Sequence, residues 1–284
     1  MTSASSRTAW LAGCIPDLPT PFDDRDAIDL AAFARLCERQ IAAGCSAIVV
    51  AETAGEMATL TLDEHDALVR AAVKTAHGRV RVIAGAGSNS TSQAIELTRR
   101  SDAAGADAVM SVVPYYNKPM PSGIAAHFAA IADCTELPII LHDNPQRTMR
   151  SLADDTLLQL AALPQFIGLR DGSGDITRPL RLRAALRPGF RLLSGDDASA
   201  AAFTAHGGDG CISTACNVTP GLRSMPAAWL HRLVAVLAID ATPAELKYAL
   251  SLLGLMTPRV RLPMVQPDET AKNAIAAAIA GFAG

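Results

Sequence analysis

The chain has 284 residues, of which 50% are hydrophobic and 19% are charged, and its formal net charge is −3. A disordered chain would be poorer in apolar residues and further from neutrality, and a nucleic-acid-binding domain would be basic. No apolar run approaches the ~18–20 residues that span a bilayer. We therefore expect a folded protein with neither a nucleic-acid partner nor a membrane partner.

Most of the chain alternates between predicted strands and predicted helices. The strands are short apolar runs that stop abruptly at polar residues, at 13–22, 47–52, 80–87, 107–116, 138–144, 166–173, 190–197 and 210–217. Because these runs are almost continuously apolar, they predict strands that are buried on both faces. Helical periodicity fills the segments between them, for example at Leu30, Phe33 and Cys37. Eight such units predict a (β/α)8 TIM barrel over residues 1–218.

The pattern changes after Asn217, where no further β-rich run appears. The remaining sequence predicts helices at about 221–238, 242–255 and 267–282. We therefore expect residues 219–284 to form a small C-terminal helical region beside the barrel.

The six cysteines are spread along the chain and form no Cys-x-x-Cys pair. This usage is typical of reduced thiols in a cytoplasmic protein, and it does not indicate a disulfide framework. The N-terminal residues lack the long apolar stretch of a signal peptide, and we expect a flexible leader into the first strand.

The fold prediction places the chemistry at the carboxyl ends of the strands, where the active sites of such barrels lie. Polar residues close most of the predicted strands, among them Glu52, Thr53, Tyr115, Tyr116, His142, Asp143, Arg147, Arg170 and Asp171. No metal-ligand spacing connects His142, Asp143 and Asp171, so a metal site there is a weak alternative. The GAGSNS segment at 85–90 lacks the third glycine and the acidic residue of a dinucleotide fingerprint. We expect neither a metal nor another cofactor.

Several motifs in chain order resemble the dihydrodipicolinate synthase/N-acetylneuraminate lyase family, especially its synthase branch. They are ETAGEMATLTLDEH (52–65), GAGSNSTSQAI (85–95), PYYNKP (114–119), HDNPQRT (142–148), GLRDGSGD (168–175) and LLSGDDASA (192–200). The resemblance implies a lyase that condenses pyruvate with an aldehyde, or cleaves the reverse way, through a lysine Schiff base. For the synthase it implies aspartate semialdehyde as the aldehyde, lysine biosynthesis as the pathway, and a homo-oligomer, tetramer or dimer.

The resemblance also assigns roles to individual residues. It places the proton-relay threonine at Thr53, followed by Ala54, and the tyrosine that reaches over from a neighbouring subunit at Tyr116, with Tyr115 beside it. It assigns substrate-binding roles to residues on three later strand ends: the carboxylate-binding Arg147, Gly195 and the pyruvate-contacting Ile212.

Two central positions depart from the family pattern. Arg170 stands where the Schiff-base lysine is expected, and His142 stands where the proton-relay tyrosine is expected. A Schiff base needs a neutral amine, whereas a guanidinium stays protonated. Of the four lysines, only Lys118 is predicted near the barrel mouth. Glu52 replaces a small residue of the family turn, and we expect it to compensate the charge of Arg170.

Four readings follow from the sequence. The chain is a pyruvate aldolase of the synthase type that works despite Arg170, or a catalytically impaired relative that binds a 2-oxo acid. It is otherwise a non-covalent lyase or decarboxylase using His142 and Arg170, or an active enzyme carrying an introduced substitution. The segment between Asn217 and 246–255 is also shorter than the family pattern, which puts the expected subunit arrangement in question.

Overall fold

The computed structural model describes residues 8–220, 226–240 and 243–281. It contains the eight predicted strands, β1 Gly13–Pro16, β2 Ala47–Val50, β3 Arg81–Gly85, β4 Ala108–Val112, β5 Ile139–Asp143, β6 Phe166–Asp171, β7 Arg191–Ser194 and β8 Gly210–Ser213. The described helices are α1 Leu30–Ala42, α2 Leu62–Ala76, α3 Thr91–Ala103, α4 Pro121–Ala132, α5 Pro145–Thr148, α6 Asp154–Ala161, α7 Arg178–Leu182, α8 Ala200–Ala205, α9 Ala227–Leu237, α10 Pro243–Leu252 and α11 Glu269–Ala280.

The strands are parallel and close into a barrel. Their spatial order is β1-β8-β7-β6-β5-β4-β3-β2, and a parallel bridge between Asp17 and Val49 joins the two ends of the sheet. Where β8 meets β1, a Cβ on Gly210 would lie 2.1 Å from the carbonyl oxygen of Gly13. Only glycine fits that approach. The predicted (β/α)8 barrel is confirmed.

Alternate strand positions fill the barrel interior, as the two-residue period of a strand requires. The interior cluster includes one large aliphatic side chain from most strands, namely Ile15, Val49, Ile83, Met110, Ile140, Leu193 and Ile212. The outer faces of the strands pack against the helices, whose apolar stripes form two further clusters. Burial on both faces is the reason that the strands read as continuously apolar runs.

The three helices expected after residue 218 are present as α9, α10 and α11. Residues 221–225, 242 and 282 of those expectations lie outside the described part. Trp229 on α9 donates its indole N–H to the Ala278 carbonyl on α11 at 2.9 Å. Leu233 and Leu246 belong to the same hydrophobic cluster as α1 and α2 of the barrel. The C-terminal helices therefore pack against the barrel rather than standing apart.

The cysteine prediction is wrong for two of the six residues. Cys14 and Cys216 form a disulfide across 202 residues of sequence, while Cys37, Cys45, Cys134 and Cys211 are free thiols. Barrel closure is the reason, because it places β1 beside β8. The spacing of Cys14 and Cys216 in the sequence does not indicate that the two residues lie close together in the fold.

Within the described ranges, no helix combines the length and the apolar character needed to cross a bilayer.

Candidate functional site

A cavity of about 470 Å³ opens at the carboxyl ends of the strands. The strand ends supply its floor and walls, and α9 and α10 contribute Leu237 and Leu246 from the C-terminal region. Six residues that the sequence assigned to the site line this cavity: Thr53, Ala54, Arg147, Arg170, Gly195 and Ile212. Parallel strands direct their carboxyl ends to one face of the barrel, so residues from five different strand ends converge there.

Arg170 lies near the end of β6 with 4% of its surface exposed. Its Nη1 donates to Glu52 Oε2 at 2.8 Å and to Asp17 Oδ2 at 2.9 Å. Asp17 follows β1 and Glu52 follows β2, and both are buried. The expected pairing of Glu52 with Arg170 is therefore present, and Asp17 adds a second carboxylate to the same nitrogen.

Glu52 also contacts His142 on β5. The Nδ1 of His142 lies 2.8 Å from Glu52 Oε1, and the imidazole is almost fully buried. Because an ionised carboxylate can only accept, Nδ1 is the protonated nitrogen of this pair. Within the described residues, Nε2 of His142 has no hydrogen-bond partner. The arrangement is a histidine oriented by a carboxylate, with its second nitrogen unused.

Burial and charge act in opposite directions on the two acids. Complete burial raises the pKa of Asp17 to about 6, although Arg170 opposes the rise. Burial also disfavours the Glu52 carboxylate, but His142 and Arg170 outweigh it and hold the pKa of Glu52 well below its usual value. Desolvation disfavours the Arg170 cation, yet Asp17 and Glu52 raise its pKa above the ordinary arginine value. Arg170 is therefore permanently charged, and its charge is matched inside the protein.

Gly195 makes room for the Arg170 side chain. A Cβ at this position would lie 3.1 Å from the Gly172 nitrogen and 3.2 Å from Arg170 Cγ. Both distances are tighter than ordinary van der Waals contact, so a larger residue would displace the arginine stem. Gly195 thus lines the cavity and also leaves the space that the Arg170 side chain needs to reach Asp17 and Glu52.

Asp143 and Asp171 serve a different arginine. The Nη1 of Arg178 donates to Asp143 Oδ2 at 2.8 Å and to Asp171 Oδ2 at 3.2 Å, and its Nε donates to Asp154 Oδ1 at 2.9 Å. These carboxylates bind α7 to the ends of β5 and β6 rather than facing the cavity. Among the described residues, no three acidic, histidine or cysteine side chains are grouped as metal ligands.

The two tyrosines do not line this cavity. Tyr116 is 89% exposed and has a left-handed backbone with φ of 69°. Tyr115 contributes instead to a separate cavity of about 430 Å³, together with His65 and Gln93. Lys118 follows on the same exposed loop and does not line the main cavity either.

Sequence reasoning missed Asp17. The only signal was an acidic residue in the middle of the first predicted strand, 13–22, and nothing local distinguished it from a surface aspartate. Its side chain is fully buried beside Arg170, which lies 153 positions later. The side-chain amide of Asn217 also donates to the Asp17 carbonyl at 2.7 Å, so the loops after β1 and β8 fix its position together.

Comparison with known proteins agrees with this architecture. The model of the dihydrodipicolinate synthetase family matches residues 10–281. The chain is similar to the 4-hydroxy-tetrahydrodipicolinate synthase of Gluconobacter oxydans, with 42% identity over 96% of this chain and 97% of the relative. Dihydrodipicolinate synthase of Bacillus anthracis has a similar structure, with a TM-score of 0.91, 34% identity and coverage of 95% and 97% of the two chains. The chloride-inhibited synthase of Acinetobacter baumannii, solved with pyruvate, gives a TM-score of 0.90, 34% identity and coverage of 95% and 98%.

Proposed function

This chain belongs to the dihydrodipicolinate synthetase family, and we propose that it binds a 2-oxo acid of the pyruvate class in the barrel-mouth cavity without forming a Schiff base. The observation that carries the proposal is the environment of Arg170, the residue at the family's lysine position. Its guanidinium donates to two buried carboxylates. A group that is always protonated offers no lone pair to a carbonyl carbon.

No other lysine supplies the missing amine. All four lysines lie in the described part of the chain, and none lines the cavity. Lys247 is fully buried, forms an ion pair with Glu56 and donates to the Arg259 carbonyl at 3.0 Å. Lys118 lies on the exposed loop after β4. Schiff-base formation with a 2-oxo acid therefore has no lysine amine among the residues that line this cavity.

Arg147 supports binding of the substrate carboxylate. It follows β5 and lines the same cavity as the apolar Ile212. The charge of Arg170 is balanced by Asp17 and Glu52. The fork geometry of the Arg147 guanidinium suits a planar carboxylate. A 2-oxo acid bound here would place its carboxylate at Arg147 and its short apolar end towards Ile212 and Gly195.

Two measurements test this proposal. Isothermal titration with pyruvate should show binding, and borohydride treatment of the same mixture should leave the intact mass of the protein unchanged. Replacing Arg147→Met should weaken binding by about tenfold or more, since a hydrogen bond to a charged group contributes about 1.5–3 kcal/mol. Arg81→Met is the matched control, because Arg81 only pairs with Asp107 on the surface. An adduct on the unmodified chain, or no pyruvate binding, would overturn the proposal.

The His142–Glu52 pair supports a second candidate, a non-covalent lyase or decarboxylase. A carboxylate-oriented imidazole is suited to general-base catalysis, and Arg170 would stabilise negative charge developing on the substrate. This candidate predicts that the methyl protons of pyruvate exchange with deuterium in the presence of the protein. Proton NMR in D2O would follow the exchange, with His142→Asn as the variant expected to abolish it. Exchange no faster than in buffer would reject this candidate.

We also propose a homo-oligomer in which Tyr116 meets a neighbouring subunit. Tyr116 is 89% exposed and does not line the cavity, which supports a role outside its own subunit. Light scattering coupled to size exclusion would give the oligomeric state, and Tyr116→Ala should shift it or weaken pyruvate binding. A monomer whose pyruvate affinity is unchanged by Tyr116→Ala would contradict this assignment.

A further inference from the structure

Two carboxylates converge on a single nitrogen inside the barrel mouth. Asp17 after β1 and Glu52 after β2 both accept from Nη1 of Arg170, at 2.9 and 2.8 Å. All three side chains are at least nine-tenths buried. Burial limits the access of water to these three side chains, so the negative charge of the two acids at position 170 is less screened than it would be on the surface.

The two acids are held by contacts that do not depend on Arg170. The second oxygen of Glu52 is 2.8 Å from His142 Nδ1, and the backbone N–H of Thr53 donates to Oε2. The backbone carbonyl of Asp17 accepts from Asn217 at 2.7 Å. A substitution at position 170 therefore leaves the Glu52 carboxylate and the backbone of Asp17 in place.

A lysine at position 170 would experience the same electrostatic field from the Asp17 and Glu52 carboxylates. Its Nζ corresponds along the side chain to Cζ of the arginine, so the ammonium would lie within roughly 4 Å of both carboxylates. The other charged or titratable groups that act on this position are His142 on β5, the thiol of Cys211 on β8 and the guanidinium of Arg147. None of these groups would influence the charge of a lysine at position 170 as strongly as two carboxylates in direct contact with it.

We infer that Asp17 and Glu52 are positioning residues that keep any basic side chain at position 170 in its charged form, so that the acid pair would prevent Schiff-base chemistry in this site even with a lysine at that position. The inference rests on the proposed function, because it concerns the same cavity and the same class of 2-oxo acid. Schiff-base formation requires the neutral amine to add to the carbonyl carbon, and water then leaves from the carbinolamine. A lysine that remains an ammonium cannot take the first step.

The experiment compares borohydride trapping of pyruvate across a pH series, read by intact mass. The variants are Arg170→Lys alone, and Arg170→Lys combined with Asp17→Asn and Glu52→Gln, which remove charge while preserving shape. The control combines Arg170→Lys with Asp209→Asn, since Asp209 pairs with Arg183 and Arg191 away from the cavity.

The charge-free variant should reach half-maximal trapping about 2 pH units lower than Arg170→Lys alone, because an opposite charge in contact shifts a pKa by roughly 1–3 units. At neutral pH it should therefore trap at least about tenfold more pyruvate per unit time. The Asp209 control should follow Arg170→Lys. Each single acid replacement should give an intermediate midpoint, which keeps the test valid if the triple variant does not fold.

Equal midpoints for Arg170→Lys with and without the two acids would overturn the inference. Absence of any adduct on a folded triple variant that still binds pyruvate would overturn it as well. The unmodified chain is run in the same series. An adduct there refutes the proposed function only, so failure of the two ideas can be distinguished.

Discussion

Replacing Asp17 with asparagine should change how the stability of this protein depends on pH. Asp17 is completely buried, and burial raises its pKa from 3.8 to about 6 against the opposing charge of Arg170. Between those two values the folded state keeps a proton that the unfolded chain has released. The free energy of unfolding must therefore fall as the pH rises through this range.

The size of the effect follows from the shift. A change from 3.8 to about 6 is about 2.2 units, and at 1.36 kcal/mol per unit it amounts to about 3 kcal/mol. The unmodified protein should lose this contribution between about pH 4 and pH 6 and lose no more of it above about pH 7. Asp17→Asn has no such titration. The difference in unfolding free energy, variant minus unmodified, should rise by about 3 kcal/mol from pH 4 to pH 8, whatever the constant cost of the altered Arg170 contact.

Urea denaturation followed by circular dichroism at a series of pH values gives this difference directly. Asp209→Asn is the matched control. Burial opposes ionisation of Asp209, but the Leu192 amide, Arg183 and Arg191 outweigh it and hold its pKa below the usual value. Its difference curve should be flat above about pH 5. A flat curve for Asp17→Asn, or one of opposite slope, would show that Asp17 does not retain a proton in the folded state.

Three further changes test the surrounding architecture. Gly195→Ala should displace the aliphatic part of the Arg170 side chain, which should cost about 1–3 kcal/mol of stability and weaken pyruvate binding. An unchanged melting temperature and an unchanged pyruvate affinity would contradict the close approach of position 195 to Arg170. Arg178→Met should leave Asp143 and Asp171 buried without a cation, and urea denaturation should show that the free energy of unfolding falls by about 3–5 kcal/mol. A fall below about 1 kcal/mol would show that these ion pairs are exposed to solvent. Thiol counting in denaturant should find four reactive cysteines before reduction and six after; six before reduction would exclude the disulfide.

Only part of the candidate site could be predicted from the sequence. Thr53, Arg147, Gly195 and Ile212 lie on predicted strands or shortly after them, and the shared carboxyl-terminal face of a barrel brings them together. The departure at Arg170 was equally visible. Its second partner was not, because nothing about a single aspartate after β1 shows whether its side chain turns into the barrel or out to solvent.

The alternation of strands and helices was determined by the sequence alone, because apolar runs and helical periodicity are local properties of the chain. Those patterns predicted the eight strands and the three C-terminal helices. The contacts between residues far apart in the sequence were decided by closure of the barrel. It joined Cys14 to Cys216 across 202 residues and placed Asp17 against Arg170 across 153. Such contacts depend on strand register and on the direction of each side chain within the closed sheet, and neither property is written in any short stretch of sequence.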